Sequence, residues 1–119
     1  MKSYTDIEQS KTLSKILPLE SADMGWNVFV DGTTRILPIN DWDLVKDGSG
    51  NVKFYHAWSL VALLGVIREA IGYNLYGVNN VRMSCDLGDK PWELETEVYD
   101  NEIDACVDMI IKLHEMNLL

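Results

Sequence analysis

Histidine, cysteine and proline are scarce: the 119 residues hold two, two and three of them. A zinc site takes three or four ligands at short spacings. His56 and His114 stand apart, and Cys85 and Cys106 form no CxxC pair. The residues therefore point to no metal site, and the two cysteines read as reduced core thiols. Glycine-rich phosphate loops are missing too. Gly48-Ser49-Gly50 reads as a hairpin tip with no helix behind it, so nucleotide binding has no support. No nucleophile elbow or protease signature surrounds Ser59, Cys85 or Cys106. The longest apolar stretch, Trp58 to Ile67, is broken by Ser59 and Gly65 and is too short for a bilayer. The N-terminal Met1-Lys2-Ser3-Tyr4-Thr5-Asp6 has no apolar core of a secretory signal, which predicts a cytoplasmic protein.

Positive charge is also short. Ten Lys and Arg face 19 Asp and Glu, for a net charge of −9. Such a field repels nucleic-acid phosphates and anionic lipid, which argues against direct nucleic-acid or membrane binding. A basic protein partner, a cation, or solubility alone fits the sign.

What the chain does have is apolar surface. A hydrophobic fraction of 47% with 24% charged residues is that of an ordinary globular protein, and the length fits a single domain over residues 1–119. Thr5-Asp6-Ile7-Glu8 is a capping box with Thr5 as N-cap, predicting an amphipathic helix to about Leu17, ahead of Pro18. Asp31-Gly32 predicts a hairpin between Trp26–Val30 and Thr33–Ile39. Its register stays open, with Val28 opposite either Arg35 or Leu37. A second hairpin is expected from Trp42–Lys46 and Asn51–His56, setting Trp42 against Tyr55 and Val45 against Val52. Ser59 caps a helix from Leu60 to about Ile71, with Gly72 following. Its first two turns are apolar all round, which predicts a buried central element.

Tyr73 to Asn80, rich in Gly and Asn, reads as irregular. Val81, Met83, Cys85 and Leu87 then alternate with Arg82, Ser84 and Asp86. Trp92, Leu94, Thr96 and Val98 alternate with Glu93, Glu95 and Glu97, predicting a hairpin with one dry and one wet face. Asp100 or Asn101 opens a last helix to about Met116, striped by Ile103, Val107, Ile110 and Ile111. The expected fold is α+β: a mainly antiparallel sheet of hairpins, with a buried central helix and two amphipathic helices on one face.

The most informative surface feature is the acidic strand. With Leu87 opposite Trp92, Arg82 faces Glu97, Ser84 faces Glu95 and Asp86 faces Glu93. Asp86, Glu93, Glu95 and Glu97 then share one wet face with a single compensating Arg. That face suits docking of a basic partner, or serves as a solvated guard against aggregation. Four tryptophans, Trp26, Trp42, Trp58 and Trp92, suit core packing or an aromatic contact patch. No reactive constellation, cofactor motif or metal-ligand set emerges. The leading functional expectation is a non-catalytic protein-interaction or accessory domain, with homodimerisation also open. A small enzyme with a cleft between helix and sheet, and an acidic mimic of nucleic acid, are the alternatives.

Three segments taken together, Ile16-Leu17-Pro18-Leu19-Glu20-Ser21-Ala22-Asp23-Met24, Ala57-Trp58-Ser59-Leu60 and Met109-Ile110-Ile111-Lys112-Leu113-His114-Glu115, resemble short uncharacterised proteins of gut Bacteroides-type bacteria and their prophages. The resemblance implies a bacterial cytoplasmic setting and a mobile-element origin. It carries no activity, substrate or catalytic residue.

Overall fold

A computed structural model describes residues 2–38, 51–76, 80–85 and 94–119. Along the chain these form helix α1 (Ile7–Ser14), a 3₁₀ turn (Leu19–Ser21), strands β1 (Met24–Phe29), β2 (Thr34–Pro38) and β3 (Asn51–Ala57), and helix α2 (Leu60–Ala70). Strands β4 (Tyr73–Tyr76), β5 (Arg82–Cys85) and β6 (Leu94–Glu95) and helix α3 (Glu102–Glu115) follow. The fold is α+β, with two antiparallel three-stranded sheets ordered β2-β1-β3 and β4-β5-β6. Among the described residues no helix is long and apolar enough to cross a membrane.

Two overlapping capping boxes compete at the start of α1, and the second wins. Asp6, not Thr5, is the N-cap: its carboxylate accepts from Gln9 N (2.7 Å), and Gln9 Oε1 accepts from Asp6 N (3.1 Å). Thr5 is fully buried, and its Oγ1 accepts from Trp58 N (3.1 Å) instead. The helix ends at Ser14, a turn earlier than expected. Ser10, Thr12 and Ser14 each donate back to the carbonyl four residues earlier, a pattern that weakens helix interiors.

Both registers open for the first hairpin are superseded. Val28 pairs with Thr34, and the loop has three residues. Gly32 N donates to Phe29 O (3.0 Å) in a turn, and Gly32 itself sits at φ 86°, a bulge conformation that favours glycine. Asp31 Oδ1 steadies the turn by accepting from Thr33 N (3.0 Å) and Thr33 Oγ1 (2.6 Å). On its other side β1 pairs with β3, setting Trp26 opposite Tyr55 and Gly25 opposite His56. The expected Trp42–Tyr55 and Val45–Val52 pairs lie outside the described residues.

The segment read as irregular after Gly72 is in part strand: β4 pairs along the whole of β5, from Tyr73–Cys85 to Tyr76–Arg82. Neighbouring Gly and Asn masked a short β-forming run that its sheet partner stabilises. On the other edge of β5 the Ser84–Glu95 pairing holds, and Cys85 meets Leu94. The register then slips by one, so that Val81 bridges to Tyr99 rather than Val98. Thr96, buried, sits at the slip; its N donates to Met83 O (2.8 Å) and its Oγ1 accepts from Met83 N (3.0 Å). Arg82 therefore reaches Glu95 (3.4 Å) instead of the expected Glu97. Ser84 is buried along with Val81, Met83 and Cys85, so this strand is covered on both faces.

The largest correction concerns α2. Ser59 is its N-cap as expected, its Oγ accepting from Ala62 N (3.3 Å) while both the hydroxyl and the backbone N–H of Ser59 donate to the Asp23 carboxylate. Yet only Leu63 and Ile67 are fully buried, and Val61 is 80% exposed. Composition without a polar face cannot say which side of a helix is covered; α2 turns one seam inward. The deeply buried helix is α3, capped by Asn101, with Ile103, Ala105, Cys106, Val107, Met109, Ile110 and Leu113 all in the core. Leu13, Leu63, Ile67, Met83, Cys85 and Trp58 complete one buried cluster around it.

Candidate functional site

Two concavities adjoin these elements. The first lies where α1 meets α3 and is a shallow hollow of about 350 Å³. Capping of α1 brings Asp6 and Gln9 to its rim; the first turns of α3 bring Asp104 and Asp108. Lys2 Nζ bridges Asp6 (3.1 Å) and Asp104 (2.8 Å). Asp104 also accepts from Gln9 Nε2 (2.7 Å) and Asn101 Nδ2 (2.8 Å). Asp108 accepts from Tyr99 OH (3.0 Å) and Glu97 N (3.3 Å), and pairs with Lys112 (3.4 Å).

This hollow gathers three carboxylates, but its geometry spends them on one another's donors. Burial alone would raise the Asp104 carboxyl; hydrogen bonds from Lys2, Asn101 and Gln9 outweigh that and hold it below its ordinary value. The Tyr99 phenol is pushed up to about 12, first by burial and then by its bond to Asp108. Asp104 is thus an ionised carboxylate and Tyr99 a neutral donor, and neither has the poised pKa that proton transfer near neutrality needs. Among the described residues no three His, Cys, Asp or Glu side chains gather to hold a metal ion. What the arrangement does is tie the N-terminal segment and α1 to α3.

The sequence-flagged residues scatter. Asp86 and Glu93 lie outside the described residues. Glu95 is partly buried and paired with Arg82, and Glu97 is exposed on the slipped segment. His56 packs edge-on against Phe54, with ring centres 5.3 Å apart, and burial lowers its imidazole. His114 is exposed, its Nδ1 3.1 Å from Leu119 O. Cys85 and Cys106 are buried, and burial pushes their thiols up to about 11 and about 12. Neither His56 nor Cys85 lines either concavity. Of the tryptophans, Trp58 is fully buried and Trp26 partly so; Trp42 and Trp92 fall outside the described residues.

The second concavity, about 440 Å³, was not foreseen. Its floor is the outward side of α2, where Ala62, Gly65, Val66 and Glu69 recur at helical spacing. Its wall is the turn after α1, from Pro18 through Glu20 to Ser21. That turn is pinned: Ser21 Oγ accepts from Trp58 Nε1 (2.9 Å) and donates to Pro18 O (2.6 Å). Gly65 is the telling residue. A mid-helix glycine costs roughly 0.5–1 kcal/mol against alanine. Yet a Cβ added at Gly65 would meet nothing within 4 Å, so no packing among the described residues requires it. The signal was present in the sequence as a glycine in an otherwise unbroken apolar helix. Nearby, Val61 and Leu19 stand exposed at 80% and 43%. No protein-family model, curated protein or solved structure matches the chain.

Proposed function

We propose that this chain is a non-catalytic protein-interaction or accessory domain, and that its contact surface is the outward side of α2. The observation that carries the reading is the apolar exposure at α2, where Val61 is 80% exposed next to the groove lined by Ala62, Gly65 and Val66. Apolar side chains exposed beside a groove are a common mark of a contact site. The polar hollow between α1 and α3 supports the same reading from the other side, because its carboxylates already serve the fold. On the acidic strand, Glu97 is the exposed carboxylate of the two that are described and adds charge steering toward a basic partner. The setting we infer from the resemblance is the cytoplasm of a bacterium carrying a mobile element.

A photo-crosslinking residue placed at Val61, and in a second variant at exposed Glu8, tests the surface in cells that make the protein. Discrete heavier adducts are expected from position 61 and not from position 8. Identical adduct patterns at the two positions, or none at 61, would refute the assignment.

A further inference from the structure

Resting on that reading, we propose that the groove between the Pro18–Ser21 turn and α2 receives a short amphipathic helix of a partner protein, with small apolar residues on its face and cationic residues flanking it. Three features of the groove select this occupant.

The floor is a helical ridge. Ala62, Gly65, Val66 and Glu69 follow the i, i+3, i+4, i+7 row against which a second helix packs ridge into groove. Small residues at such a crossing let two backbones approach closely. Gly65 supplies that clearance at a cost to the isolated helix, and nothing among the described residues uses it.

The wall is rigid. Ser21 is held both to Trp58 and to Pro18, so the groove exists before anything enters it. Preformed sites spend little of their binding energy on ordering.

The rim is negative and uncompensated. Glu20 stands on the wall and Glu69 at the far end of the ridge; among the described residues neither forms an ion pair. A second copy of this chain would bring four such carboxylates together and add −9 of charge to −9. Like charges of that density disfavour self-association and favour a cationic occupant.

The test uses the full chain and two synthetic helical peptides that share an alanine- and leucine-rich face. One carries lysines at its flanks, the other glutamates; fluorescence anisotropy reads binding. The lysine peptide is expected to bind at least about tenfold more tightly, a preference that shrinks as salt rises. Glu20→Lys with Glu69→Lys should reverse it. Gly65→Leu should abolish binding of both peptides without lowering the unfolding temperature, because the added side chain enters open space. Failure of the lysine peptide to bind, or binding indifferent to Gly65→Leu, overturns the proposal. Equal affinity for both peptides, lost in Gly65→Leu, overturns the cationic class while leaving α2 as the contact surface. A concentration-dependent dimer in sedimentation, lost in Gly65→Leu, overturns it in favour of a second copy. Crosslinks from Val61 with no peptide bound would leave the surface standing and remove this occupant.

Discussion

Replacing Thr5 by valine should destabilise the protein far more than its place before the first helix suggests. Thr5 is fully buried, and its hydroxyl lies in a chain of three hydrogen bonds. Trp58 N donates to Thr5 Oγ1 (3.1 Å), and Thr5 Oγ1 lies 2.8 Å from Ser10 Oγ. Ser10 Oγ lies 2.6 Å from Asp6 O, which can only accept. Ser10 has one hydroxyl proton and spends it there, so Thr5 donates to Ser10. The chain therefore runs Trp58 to Thr5 to Ser10 to Asp6, joining the start of α2 to the first turn of α1. Valine keeps the shape and deletes both bonds of the middle link. It strands a buried backbone N–H and removes the donor to Ser10.

An orphaned buried polar group costs about 1–3 kcal/mol, so Thr5→Val should cost about 2–4 kcal/mol with little cavity contribution. At about 2.1 cal/mol/K per residue, the 119 residues have an unfolding entropy of about 250 cal/mol/K. The unfolding temperature should therefore fall by about 8–16 °C. Urea unfolding should show a lower midpoint at an unchanged slope, since the surface exposed on unfolding is the same. The chain also makes a prediction about pairing. Once Thr5 is valine, Ser10→Ala removes a group that has already lost its donor, so the double variant should cost about 1 kcal/mol less than the two singles added. Additive singles, or a Thr5→Val cost within about 0.5 kcal/mol of zero, would refute the direction assigned to these bonds.

Four further outcomes test the rest of the structure. Leu63→Ala should cost about 2–5 kcal/mol and Val61→Ala less than about 0.5 in the same urea assay, and similar costs would mean that α2 is turned the other way. Gly65→Ala should raise stability by about 0.5–1 kcal/mol, whereas a loss would reveal an unseen neighbour. Asp104 has a folded carboxyl pKa below its ordinary 3.8, so its contribution is fully present above that value and is lost as pH falls through the folded one. Asp104→Asn should accordingly flatten the acid limb of a urea-midpoint profile, and an unchanged limb would contradict the Lys2–Asp104 tie. Cys85 and Cys106, with thiols raised by burial, should resist a thiol reagent at mildly alkaline pH in the native protein and both react in denaturant; native labelling of either would contradict their burial.

Much of the fold is written in local signals that tertiary structure had no reason to override. Ser59 and Asn101 each precede a helix, and each side-chain oxygen accepts from a free amide of its first turn whatever else the residue bonds. The alternation around Ser84 and Glu95 fixes their pairing because a one-residue shift would turn Met83 and Cys85 out of the core. Where two local solutions have similar energy, contacts distant in sequence decide. Thr5 and Asp6 both head a capping box, and Trp58, 53 residues on, takes Thr5. Asp31-Gly32 suits a two-residue turn and a three-residue turn with a bulge alike; the latter prevails with Gly32 at positive φ. The slip between Glu95 and Tyr99 follows from the same competition. Thr96 turns inward to serve Met83, and Tyr99 must reach Asp108 on α3, so the strand absorbs an extra residue and Glu97 loses Arg82.

The proposed contact surface is not legible in the sequence for a different reason. Hydrophobicity reports that α2 gains by burial but not against what. Composition alone assigns that burial wholly to this chain and leaves carboxylates as the outward features. In the folded protein the seam of Leu63 and Ile67 is satisfied by α3 and the core, while Val61 is exposed and Gly65 lines the groove. The carboxylates are taken up inside the fold: Asp104 ties α3 to α1 and the N-terminal segment, Asp108 ties α3 to Tyr99 and Glu97, and Glu95 pairs with Arg82. Charge that serves as internal clasp cannot also be the feature a partner reads. The exposed Val61 and the groove beside it, where among the described residues nothing packs against Gly65, are what our proposal assigns to a partner.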